Sequence, residues 1–235
     1  MEGRPKVVVG VDEAGRGSLV GEMFVAGFAA PPEVAERLVE IGVKDSKLLS
    51  PDSRSRLYRR ICRLGMISVV TVPPEAIDRE NLTVLTERAI LRIIRNLSER
   101  LGGIEWIAAI EIDRYGKPRI LPSELERMGF RGLLVIEEKA DRRYPHVAAA
   151  SIVAKHLRDT RIRVLASLYG VSGSGYPSDP RTVEWVRKQL EAGSRPPIVR
   201  YSWSTLRRYG FGGKVTGEAS NASRGVGLDK WMKRD

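Results

Sequence analysis

The sequence predicts an α/β protein: a mixed sheet flanked by helices, with a small helical appendage at its C-terminal end. Three observations carry this. Short β-branched runs alternate with helical stripes over about the first 170 residues. The two leading strands are joined by a Gly15-Arg16-Gly17 turn, the pattern of a hairpin. Beyond Tyr176 the alternation gives way to one helix, a Pro196-Pro197 break and a short segment around Trp203. The expected division is a main α/β domain over 1–175, a helical appendage over 176–211 and a flexible Gly/Ser/Ala-rich tail over 212–235.

Val7–Val11 reads as a buried strand and Met23–Ala30 as its partner, stopped by Pro31-Pro32. A short helix is expected over Glu33–Ile41. A second runs to Arg63, with Ser50 as N-cap and Pro51 at the first helical position. Ile67–Val72 is brief and β-branched, hence a strand. Leu82, Leu85, Ala89, Ile93 and Leu97 mark the apolar stripe of a helix over Leu82–Leu101. Trp106–Asp113 and Leu133–Ile136 read as further strands. Val147–Leu168 is a long helix with Gly170 as C-cap, and Arg181–Ala192 is the appendage helix.

Forty Lys plus Arg against 29 Asp plus Glu leave a net charge of +11, which favours polyanionic partners. No apolar run approaches the roughly 18 residues of a membrane span, so no membrane partner is expected. The N-terminus lacks the long apolar stretch of a signal peptide. Cys62 is the only cysteine, so no internal disulfide can form; it is expected to be a small buried hydrophobe in a cytoplasmic protein. A monomer is the expected state.

Two adjacent carboxylates, Asp12 and Glu13, end the first strand, Asp113 ends a central strand, and Asp141 precedes the long helix. Two acids at a buried strand end repel each other unless a cation sits between them. Convergence of four acids would give an oxygen-only site suited to Mg²⁺ or Mn²⁺. Two such ions can activate a water and stabilise an in-line phosphodiester displacement. Aspartates at strand ends are also ordinary turn residues, so spacing alone leaves both readings open. His146 and His156 stand about 80° out of phase on a helix and make a poor metal pair. Arg158, Arg161 and Arg163 form an arginine-rich helix face that either meets duplex phosphates or is solvated.

The segments Val9–Gly17, Asp45–Ser50, Ala148–Lys155 and Gly175–Pro180 resemble ribonuclease HII. Arg200-Tyr201-Ser202-Trp203-Ser204-Thr205 is similar to the archaeal and eukaryotic branch of that family. The resemblance runs in order from about residue 5 to residue 210. It implies a ribonuclease-H-like fold and two-metal hydrolysis, with Mg²⁺ or Mn²⁺, of RNA paired to DNA. It also implies incision 5′ of a ribonucleotide embedded in duplex DNA, giving 3′-hydroxyl and 5′-phosphate ends. Asp12, Glu13, Asp113 and Asp141 would be the catalytic, metal-binding acids. Asp113, in Ile112-Asp113-Arg114-Tyr115-Gly116, matches the family less distinctively than the opening motif does.

Finding one ribose among deoxyriboses requires sensing a 2′-hydroxyl. Glycines let a backbone approach a sugar closely, and the resemblance gives that task to Gly15, Arg16 and Gly17, with Tyr176 stacking on the next sugar. Lys47 would contact a phosphate. Each also has a plain reading: a hairpin turn, a loop anchor, a solvated lysine. Leu228, Trp231 and Met232 have the spacing of a one-turn helical plug and resemble a sliding-clamp peptide, although Gly225 replaces the usual leading Gln. Two other readings compete: a DNA junction resolvase, which would need no ribose sensor, and a non-catalytic nucleic-acid binder, which would have no use for four acids.

Overall fold

A computed structural model of the chain describes residues 5–43 and 50–208; Lys47, Leu228, Trp231 and Met232 lie outside the described residues. Five strands, β1 (Val7–Ala14), β2 (Met23–Ala30), β3 (Met66–Val72), β4 (Ile107–Asp113) and β5 (Leu133–Glu137), form one sheet in the order β3-β2-β1-β4-β5. The β3-β2-β1 half is antiparallel, whereas β4 and β5 run parallel to β1. The predicted mixed sheet is therefore present.

The helices are α1 (Val34–Glu40), α2 (Pro51–Ile61), α3 (Pro74–Arg79), α4 (Leu82–Leu101), α5 (Leu121–Arg127), α6 (Ala140–Arg143), α7 (Pro145–Tyr169), α8 (Pro180–Glu191) and α9 (Ser204–Arg208). Local chemistry sets the long ones. Asn81 caps α4 by accepting from the Thr83 and Val84 amides, and Gly102 closes it at φ 84°. Ser50 caps α2 as expected, and Gly170 closes α7 at φ 67°. The α4 stripe, with Leu85, Ala89, Ile93 and Leu97, packs on one face of the sheet against Val9, Val11, Ile110 and Ile112. The Ala148–Ala150 turn of α7 packs on the other face, against Ala26, Phe28 and Ala30.

A third cluster joins Leu19, Val20 and Leu165 to Trp185, Val186, Ile198, Val199 and Leu206. Residues of the expected appendage thus share a core with the segment that follows β1.

Three differences from expectation matter. First, β1 does not stop at Val11; its pairing with β2 continues through Asp12↔Ala26, Glu13↔Val25 and Ala14↔Phe24. A continuous partner strand overrides the low strand preference of acids, so both carboxylates stand in the sheet rather than beyond it. Second, Cys62 is exposed: it is the C-cap of α2, past the buried Ile61, and faces out. Third, α3, α5 and α6 have four to seven residues each, too short for a periodic stripe. Among the described residues no helix is long and apolar enough to cross a membrane.

The seat of α7 on β1 depends on Gly10. A Cβ there would lie 2.1 Å from the His146 carbonyl carbon and 2.3 Å from the Val147 nitrogen, both backbone atoms. Gly10→Ala is therefore expected to lower stability by about 3 kcal/mol, a fall in Tm of roughly 10 °C in thermal unfolding.

Candidate active site

Val11 pairs with Ile112 in parallel register, which brings Asp12 beside Asp113 where β1 and β4 approach their C-terminal ends. Side chains alternate across a sheet, so Val11 and Ile112 enter the α4 core while Asp12 and Asp113 face the α7 side. Glu13 faces the other way, with Arg16 Nη1 at 4.0 Å from Oε1. Asp113 Oδ1 accepts from the Ala140 amide at 2.8 Å, which ties β4 to the first residue of α6 and carries Asp141, 6% exposed, to the same end of the sheet. Lys139 makes that turn possible with a left-handed backbone at φ 58°, rare for a side chain of its kind.

Burial dominates the electrostatics. It raises the Asp12 pKa from 3.8 to about 6, and Asp113 adds to the rise; a hydrogen bond from Ser151 and the Lys155 charge oppose it. Glu13 rises from 4.5 to about 8, through burial first and then Asp12, with Arg16 opposing. Glu111, on the same face as Asp113, is pushed by burial to about 7. Lys155 Nζ donates to Ser151 Oγ at 2.7 Å, so one turn of α7 presents a hydroxyl and an ammonium toward Asp12.

Among the described residues no three His, Cys, Asp or Glu side chains are already gathered closely enough to hold an ion. The donor chemistry nonetheless fits a hard divalent cation. Asp12, Glu13, Asp113 and Asp141 offer oxygen only, and Asp12 and Glu13 carry a burial and like-charge penalty that a cation would remove.

The segment after β1 bends at Gly15, φ 81°, and Ser18 Oγ donates back to the Gly15 carbonyl at 2.8 Å. Arg16 turns inward, its Nη1 donating to Thr86 Oγ1 of α4 at 2.7 Å. Gly17 is exposed, and among the described residues beyond its chain neighbours no atom lies within 4 Å of where a Cβ would stand. The Leu19 and Val20 amides both donate to the Gly175 carbonyl, at 2.8 and 3.1 Å, so the turn is joined directly to the loop that carries Tyr176. The structure places Asp12, Asp113 and Asp141 at one end of the sheet, leaves Glu13 on the opposite face beside Arg16, and joins the segment after the glycine turn to the loop that carries Tyr176.

On the arginine-rich face of α7 only Arg158 departs from the solvated or phosphate-contacting reading; Arg161 is partly exposed and Arg163 exposed. Arg158 is 3% exposed, donates to the Val20 and Ser174 carbonyls, and lies 5.3 Å from the Tyr176 ring centre. Arg161 forms a forked pair with Glu22, and Arg163 bonds Thr160. His146 is buried and His156 stacks on Tyr58 at 4.3 Å; both are held below the usual imidazole range by burial, so both are structural.

Sequence reasoning missed Glu87. Fully buried on α4, it accepts from the Tyr115 hydroxyl and from the Arg119, Ile120 and Leu121 amides at 2.7 to 3.3 Å. It fixes the chain just after Asp113. Its signal was available: Glu87 stands three residues before Ile90 and seven before Ile94, inside an apolar face.

The strand order, the helices on both faces and the carboxylates on adjacent central strands of a strongly basic chain define a ribonuclease-H-like nuclease. A family model described as Ribonuclease HII matches residues 9–206, and the chain belongs to that family. The Ribonuclease HII of Aeropyrum pernix is 46% identical over 228 residues, spanning 96% of this chain and 98% of that one. The crystal structure of ribonuclease H2 from Pyrococcus horikoshii OT3 superposes with a TM-score of 0.74 at 36% identity, covering 86% of this chain and 96% of the other. The RNase HII in a PCNA complex from Archaeoglobus fulgidus gives 0.73 at 37% identity, over 84% and 95%. The protein is a hydrolase that cleaves the RNA of RNA–DNA hybrids.

The acids imply a pH signature. Folding raises the Asp12, Glu111 and Glu13 values, so their neutral forms favour the folded state; that contribution is full near pH 4 and is lost as pH climbs through about 6, 7 and 8. In chelator the Tm is expected to fall between pH 5 and pH 9. The double variant Asp12→Asn, Glu13→Gln should flatten that fall in a thermal-shift series.

Proposed function

We propose that this ribonuclease also incises duplex DNA on the 5′ side of a single embedded ribonucleotide, leaving 3′-hydroxyl and 5′-phosphate ends. The observation that carries the proposal is the pair of bonds from the Leu19 and Val20 amides, just past the Gly15–Gly17 turn, to the Gly175 carbonyl next to Tyr176, the turn itself starting two residues after Glu13. A group able to touch a ribose and a group able to stack on the next sugar are thereby held as one piece beside the acids.

Asp12, Glu13, Asp113 and Asp141 would hold the divalent cations, Mg²⁺ or Mn²⁺. When bound, such ions supply charge neutralisation at the scissile phosphate and an activated water. Ser151 and Lys155 steady Asp12, and the Ala140 amide steadies Asp113. Gly17, exposed and without a side chain, supplies backbone open to a 2′-hydroxyl among the described residues. The inward Arg16 side chain acts on the turn rather than on nucleic acid. Lys47 would add a phosphate contact. The net charge of +11 supports duplex binding that weakens with salt, and a lone cysteine fits the cytoplasm.

Cleavage of a labelled DNA duplex carrying one ribonucleotide, in Mg²⁺, Mn²⁺ or EDTA, tests the reading. One metal-dependent cut 5′ to the ribose is expected, with Asp113→Asn slower by about 10³-fold. Cutting confined to long hybrids would remove the sensing roles of the glycine turn and Tyr176.

The tail resembles a clamp-binding peptide, and a relative has been solved as a PCNA complex, which supports docking through Leu228, Trp231 and Met232. Trp231→Ala should abolish co-elution with a purified archaeal sliding clamp; undiminished co-elution would remove the tail from the interface.

A further inference from the structure

The glycine turn is shaped from a distance. Arg200 is fully buried, and its guanidinium spans the segment after β1: Nε donates to the Gly21 carbonyl at 3.0 Å and Nη1 to the Arg16 carbonyl at 2.9 Å. The backbone follows the same path, with the Arg200 amide on the Leu19 carbonyl at 3.0 Å and the Gly21 amide on the Ile198 carbonyl at 2.8 Å. Asp78 on α3 anchors the next two residues, accepting from the Tyr201 and Ser202 amides at 2.8 and 2.9 Å.

This arrangement is costly. Among the described residues Arg200 Nη2 has no hydrogen-bond partner, and neither has Arg158 Nε. Burial, and then repulsion from Arg158, push the Arg200 guanidinium down to about 9, while the nearby Glu22 carboxylate is engaged by Arg161. A loop that needed only fastening would be held more favourably by an apolar contact than by an incompletely satisfied buried cation. What the guanidinium provides, and an apolar group or an ammonium does not, is a rigid planar fork that fixes two carbonyls at one separation.

The geometry points to Arg200 as a positioning residue for ribose selectivity. By spanning the Arg16 and Gly21 carbonyls it fixes how the Gly15–Gly17 backbone is presented beside the acids. The inference rests on the ribose-sensing reading above. A single embedded ribonucleotide offers one 2′-hydroxyl in one register, so a displaced turn loses it. A long hybrid offers a 2′-hydroxyl at every position and tolerates the displacement better.

The test is kcat and KM on both substrates, the embedded ribonucleotide and a long hybrid, for the full chain and two variants. Arg200→Lys should lower the ratio of kcat/KM, single ribonucleotide over hybrid, by about 10- to 100-fold. Asp78→Ala, which leaves the buried arginine in place and loosens only its anchor, should shift the ratio the same way by roughly threefold to tenfold, and keeps the test alive if Arg200→Lys does not fold. A merely structural role would lower both activities together and leave the ratio unmoved. That result in the folded variants, set against a wild-type protein that cuts the embedded ribonucleotide, overturns the inference alone. A wild-type protein that ignores that substrate overturns the sensing reading and the inference with it.

Discussion

The first turn of α7 lies directly on the backbone of β1, and the site depends on that contact. Because Gly10 leaves no side chain between them, the helix reaches the sheet at its closest possible separation. From that seat Ser151 and Lys155 fall opposite Asp12, one turn apart on the same face. The same seat sets where α6 enters, and so where the Ala140 amide meets Asp113 and where Asp141 stands. A bulkier residue at one strand position would displace three of the four acids relative to one another.

Buried, mutually repelling carboxylates are a poor choice for stability and a good one for a cation site. Asp12 and Glu13 are held well above their ordinary range, so the fold strains against its own charges until something positive arrives. Glu87, fully buried on α4, receives four donors from the Tyr115 hydroxyl and the Arg119, Ile120 and Leu121 amides. Asp12 and Glu13 stand instead beside each other and Asp113, where burial first and like charge second favour their neutral forms.

Much of this was legible before any coordinates. The long elements announced themselves because their signals are local: the α4 stripe, the Ser50-Pro51 start of α2, the Gly170 stop of α7. The acids and the glycine turn stood out through the resemblance of their motifs, spacing alone leaving a plain turn reading open. What stayed hidden was set by partners distant in sequence. β1 continues past Asp12 because β2 continues beside it, and Cys62 faces out because α2 turns its other side to α7. Arg158 looked like surface decoration because the groups that bury it, Val20, Ser174 and Tyr176, belong to other parts of the chain. Glu87 was the exception: its local signal, an acid on an apolar helix face, was present and passed over.

The hydrogen bond from Arg200 to the Arg16 carbonyl closes a loop of 184 residues, and the bonds from Leu19 and Val20 to Gly175 close loops nearly as long. Contacts of such separation carry a large closure entropy and form late, whereas the β1–β2 hairpin is local. On a ribosome the hairpin bearing Asp12 and Glu13 emerges well before Arg200, which bonds the turn beyond it. The order of synthesis therefore separates the two ends of this contact: the β1–β2 hairpin can form early, whereas the turn after β1 acquires its bonds to Gly175 and Arg200 only once those later residues fold back onto it.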